Sequence, residues 1–106
     1  MLNLLKRTRE LIERGWTQGS SARDADGQPC DLRRATCFCL YGALTQASYE
    51  EGGSLMYWIM DPIREPLIDS FIKATGIRNI VEWNDDAKRT KEDVLNALDE
   101  TIKAQT

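Results

Sequence analysis

The chain has 106 residues, 42% of them hydrophobic, with 14 basic and 17 acidic side chains and no histidine. That length suits one domain spanning 1–106, able to bury a core without disulfides or metal. The formal charge of −3, with no Lys/Arg stripe above its acidic neighbours, excludes the footprint of direct nucleic-acid binding.

Residues 2–14 place Leu4, Leu5, Thr8, Leu11 and Ile12 on one helical stripe, with charges opposite, and Gly15 stands where a left-handed C-terminal cap is expected. The basic run Lys6, Arg7, Arg9 and Arg14 is balanced by Glu10 and Glu13 and reads as the wet face of that helix. Trp16 is expected to fold back on the helix end. Turn residues crowd 17–34, and Ala22-Arg23-Asp24 with Gln28-Pro29-Cys30 predicts a short hairpin near 20–31 around Asp26-Gly27, where both turn positions tolerate positive φ. Next comes the most apolar stretch, Thr36 to Leu44. At helical spacing Ala35, Phe38, Cys39, Gly42, Ala43 and Ala47 share one face and Cys37, Leu40, Tyr41 and Leu44 the other. Hydrophobic on both faces, it predicts a buried central helix over about 34–48.

Ser54 can cap a short helix through Leu55 to Met60; Asp61-Pro62 and Glu65-Pro66 break it, and a second piece runs from Pro66 to about Ala74, stopping at Gly76. Ile77, Ile80 and Val81 read as extended, and Trp83-Asn84-Asp85-Asp86 as loop. Thr90 with Asp93 resembles a capping box ahead of a last helix over about 91–104, whose apolar stripe is Val94, Leu95, Leu98 and Ile102. The sum is a mainly α, compact single domain of four to five helices around a buried central one.

Candidate chemistry is sparse. Without histidine the commonest general base and metal ligand is missing, which argues against an enzyme. The glycines show no phosphate-loop or dinucleotide spacing, and no cofactor is expected. Three cysteines, Cys30, Cys37 and Cys39, fit reduced thiols in a cytoplasmic setting. Cys37 and Cys39, two apart in a helix, point to different faces and hold no metal together. The apolar start is too short and too soon charged for a signal sequence, and no apolar run reaches the ~20 residues of a membrane span.

Two polar clusters remain: Gln18 with Arg23 and Asp24, and Asn84 and Asp85 with Arg89. If the segments meet over the central helix, the arginines can clamp an anionic metabolite or nucleotide. The plainer reading has Arg23 pairing with Asp85 or Asp24 to pin two loops. Separately, Met56, Tyr57, Trp58 and Met60 belong to an apolar group richer in Met and aromatic residues than a short helix needs. Such a group either fills the core or forms a docking face for a protein partner or a second copy of the chain.

Taken in order, Gly15-Trp16-Thr17-Gln18-Gly19, Ala22-Arg23-Asp24, Cys39-Leu40 with Gly42-Ala43-Leu44, and Trp83-Asn84-Asp85 resemble a family of small bacterial and phage proteins catalogued only as a domain of unknown function. The resemblance covers most of the chain except about 50–76. It implies a shared fold and a polar patch at Arg23, Asp24, Asn84 and Asp85, and it supplies no activity. Sequence and resemblance together favour a non-enzymatic protein-binding module. A phage-type inhibitor of a host defence or nucleic-acid-processing complex is one form of it, and a small-molecule domain using the Arg/Asp/Asn cluster is the alternative.

Overall fold

The computed structural model describes residues 1–56 and 60–106. Helix α1, Leu2–Arg14, buries Leu5, Thr8, Leu11 and Ile12 along the expected stripe. Gly15 ends it, but with φ −175°, so the backbone there is extended and not left-handed. Glycine is required for a different reason: a Cβ at that position would lie 2.3 Å from the Thr36 carbonyl oxygen. The chain then runs alongside Phe38, whose carbonyl accepts from Thr17 N at 3.0 Å while its own N–H donates to Gly15 O at 2.9 Å.

Strand β1, Ala22–Arg23, pairs antiparallel with β2, Cys37–Phe38, in the register Ala22 to Phe38 and Arg23 to Cys37. The hairpin turn expected at Asp26-Gly27 also forms. Asp24 N donates to Gln28 O at 2.9 Å and Cys30 N to Ala22 O at 3.2 Å, with an isolated bridge from Arg23 to Pro29. Only Gly27 takes positive φ (80°) there; Asp26 does not. A 3-10 turn, Leu32–Arg34, is capped by Asp31 and links the hairpin to β2.

The central helix starts later than its apolar pattern implies. Helix α2 is Leu40–Glu50, and residues 34–39 supply the end of the 3-10 turn, strand β2 and the cap. A short buried strand and a buried helix share the same unbroken apolar signal, so periodicity cannot divide them. The division point is Cys39, whose Sγ accepts the Gly42 N–H at 3.2 Å as the N-cap. Hence Cys37 and Cys39 occupy a strand and a cap, not two faces of one helix. Leu40, Ala43, Leu44 and Ala47 enter the core, and α2 packs against α1 and both following helices.

Of the helix expected over 55–60, the described positions Leu55, Met56 and Met60 are not helical; Tyr57, Trp58 and Ile59 lie outside the described residues. Helix α3, Arg64–Thr75, buries Leu67 and Phe71 and ends on Gly76, the stop its sequence predicts, with φ 76° in a left-handed cap. It begins two residues before Pro66, which still falls in the first turn, where a missing N–H leaves no bond unmade. The next segment overturns the expectation of extended backbone at Ile80 and Val81 and of loop at Trp83 to Asp85, though not at Asp86: Ile80–Asp85 is helix α4, opened by Asn79, whose Oδ1 accepts Glu82 N–H at 3.1 Å. Its buried residues, Ile80 and Asn84, are four apart on one face. Helix α5, Lys91–Ala104, carries the full Thr90/Asp93 capping box and packs on α1 and α3 through Val94, Leu95 and Leu98. Among the described residues, five helices, a two-stranded sheet and one core cluster make the fold mainly α.

Candidate functional site

Asn84 is fully buried beside the N-terminus of α2, and its amide satisfies three elements at once. Its Oδ1 accepts from the Trp16 indole N–H at 2.8 Å and from Leu40 N–H at 3.0 Å; its Nδ2 donates to Thr17 O at 3.1 Å and Asp85 Oδ1 at 3.0 Å. Gln18 Nε2 donates to the carbonyls of Asn84 and Asp86 at 2.9 and 2.8 Å, and Asp85 Oδ1 takes the Gly19 N–H at 3.0 Å. The two polar segments therefore meet over the start of α2. Trp16 joins them through its indole N–H, with its ring packed against the core.

The charged members do not form an open clamp. All three nitrogen positions of the Arg23 guanidinium are directed to protein oxygens: Nε to Thr17 Oγ1 at 2.9 Å, and the two terminal nitrogens to Gly27 O and Gln18 O, each at 3.1 Å. The pinning thus runs through a hydroxyl and carbonyls, and neither the Arg23–Asp85 nor the Arg23–Asp24 ion pair is among the described bridges. Asp24 closes its own turn, accepting from Asp26 N–H and Gln28 N–H at 2.9 and 3.1 Å. Arg89 lies apart from the cluster's centre, with its guanidinium carbon 4.1 Å from the Trp83 ring centroid and its Nε donating to Trp83 O at 2.9 Å.

Beside this knot, Ser20, Ser21, Cys39, Tyr41, Val81 and Asp85 border a cleft of about 440 Å³. Burial pushes the Cys39 thiol up, against the opposing pull of the helix N–H groups of Gly42 and Tyr41, so it stays protonated and is a poor nucleophile. Among the described residues no group of three His, Cys, Asp or Glu is placed to hold a metal ion. No described helix is long and apolar enough to cross a membrane.

The second candidate surface is apolar. Tyr49, Met56 and Met60 are 41%, 49% and 81% exposed, and all three border one cleft of about 670 Å³ with Arg33, Leu55 and Pro62. Their candidate partners Tyr57 and Trp58 lie outside the described residues. The wall behind the cleft is held by charge. Asp61, 2% exposed, accepts backbone N–H bonds from Ser54, Ile63 and Arg64, and Arg64, fully buried, donates to Ser54 O and Met56 O at 3.3 and 3.2 Å. Burial alone would raise the Asp61 carboxyl, but those N–H bonds and the Arg64 charge outweigh it and hold it below the usual carboxylate range. Neither Asp61 nor Arg64 had been legible as a buried partner from the Asp-Pro and Glu-Pro signals, which read only as helix breaks.

No curated protein and no solved structure significantly matches the chain. A family profile does match it, over residues 1–104, and so takes in both the Asn84 knot and the Met-lined cleft. The chain belongs to that family, described as a family of unknown function (DUF6197).

Proposed function

We propose that this protein is a small non-enzymatic binding module that docks another protein on the surface around Tyr49, Met56 and Met60. One observation carries the reading: three large apolar side chains, each more than two-fifths exposed, border one concave surface. Scattered exposed apolar residues are ordinary, whereas a contiguous group at a cleft incurs a solvation cost that a partner removes. Methionine suits such a face because its unbranched, polarisable chain adapts to the surface it meets. The buried Asp61 and Arg64 support the reading by fixing the backbone at Ser54 and Met56, which lowers the ordering cost of binding at those two positions.

Against the small-molecule alternative at the polar loops, each nitrogen of Arg23 already donates to a protein oxygen and both ends of the Asn84 amide are bonded inside the protein. A phage-type inhibitor remains one biological form of the module, supported by the sequence resemblance alone. The test is affinity capture with Met56→Glu/Met60→Glu as control, followed by reconstitution of any stoichiometric complex from purified components. Binding that the double variant loses at unchanged melting temperature supports the reading; a complex indifferent to both substitutions contradicts it.

A further inference from the structure

The cleft beside the Asn84 knot continues past Tyr41. It adjoins a second cleft of about 370 Å³, and Tyr41 and Val81 border both. The two make one groove between the start of α2 and the exposed face of α4. Its middle is apolar and reaches solvent: Val81 is 49% exposed, and Tyr41 and Ile68 are half-buried. Each cleft falls within the range of small-ligand sites, roughly 300–1,000 Å³.

Opposite charges stand at the two ends, Asp85 in the first cleft and Arg78 in the second. With Val81 they are spaced i, i+3 and i+7, a single stripe that begins just ahead of α4 and ends in its last turn. The Asp85 carboxylate is oriented from inside the protein, since its Oδ1 accepts both the Gly19 N–H and an Asn84 Nδ2–H at 3.0 Å. Its Oδ2 has no described hydrogen-bond partner, and neither Asp85 nor Arg78 belongs to a described ion pair. Glu82, the acidic residue nearest Arg78 in sequence, is bonded instead to Asn79 Nδ2 at 2.9 Å.

We infer that this groove binds a short peptide with free termini, its N-terminal ammonium at Asp85, its C-terminal carboxylate at Arg78 and an apolar side chain against Tyr41, Val81 and Ile68. A guanidinium fork matches a carboxylate, and a fixed carboxylate oxygen matches an ammonium. The length follows from the register. Arg78 to Asp85 is seven residues, on the order of 10 Å at helical rise. About three residues of extended chain cover that span at roughly 3.3–3.6 Å each. Of the Asn84 knot the site uses Asp85 alone, so the internal bonds of Arg23 and of the Asn84 amide do not oppose it.

Titration of alanyl-leucyl-alanine into the full chain, followed by amide NMR, tests the assignment, with the N-acetylated and C-amidated forms of the same peptide as comparators. Saturable one-to-one binding is expected, with shifts centred on Tyr41 and Val81. Each blocked form is weaker by about threefold or more, the scale of a solvent-exposed ion pair. Arg78→Gln removes the penalty of amidation and leaves that of acetylation; Asp85→Asn does the reverse while keeping an oxygen for the Gly19 N–H. No saturable binding, blocked forms that bind as tightly as the free peptide, or penalties that both variants leave in place would overturn the inference. Arg78 is exposed and makes no described hydrogen bond or ion pair, so its variant and the amidated peptide decide the matter even where Asp85→Asn misfolds.

Discussion

Asn84 shows how much of this fold rests on one side chain. Its amide, fully buried, answers the indole of Trp16, the first N–H of α2 and the carbonyl of Thr17. Asn84→Leu leaves those groups unpaired and is expected to cost about 3 kcal/mol or more in urea denaturation, since each orphaned buried group costs about 1–3 kcal/mol. Gly42 makes a comparable demand through space: a Cβ there would stand 2.2 Å from Ser21 O, the acceptor of the Cys39 N–H. Gly42→Ala should therefore shift the β1–α2 junction and destabilise by about 1–3 kcal/mol, which thermal unfolding measures.

Asp61 and Glu50 make stability depend on acid. Arg7's hydrogen bond is the main reason that the Glu50 carboxyl lies below its ordinary range, while backbone N–H bonds and Arg64 hold Asp61 down despite burial. Both groups bind fewer protons folded than unfolded, so their contribution is present above the unfolded carboxylate pKa of about 4 and is lost as pH falls through the depressed folded values. Urea midpoints should drop below about pH 4, and Asp61→Asn should flatten that drop while lowering stability at neutral pH. An acid limb of unchanged slope in the variant would show that Asp61 does not contribute to it.

The elements divide by how local their signals are. Helix α5 has its whole code in sequence, a capping box followed by an apolar stripe, and Thr90→Ala is expected to cost about 1 kcal/mol by denaturant titration. Helix α3 ends where Gly76 permits positive φ, and α1 follows its leucine stripe. Where the determinants are tertiary, sequence reading lost its hold. The start of α2 depends on Cys39 acting as a cap and on β2 finding β1 across the thirteen residues 24–36 of turn and 3-10 structure, neither of which periodicity encodes. Helix α4 was hidden because Ile80 and Val81 favour extended backbone. Asn84 and Asp85, which suit loops, are helical there because the amide of Asn84 must face Trp16 and Leu40. Most polar residues of the candidate cluster were legible as a group, but that Arg23 would turn to the Thr17 hydroxyl and the carbonyls of Gln18 and Gly27 depends on turns that no motif encodes. The clefts at Met60 and Tyr41 draw on residues far apart in sequence and left no motif.

At the scale of the whole molecule, the core is closed by α1, α2, α3 and α5, leaving apolar surface concentrated at the end of α2 and the segment that follows it. The most direct test of the docking surface is the affinity of the reconstituted complex for wild type against Met56→Glu/Met60→Glu, with melting temperature measured alongside. The docking account predicts a one-to-one complex weakened by about tenfold or more in a variant that melts with the wild type. Equal affinity in the two proteins would contradict it.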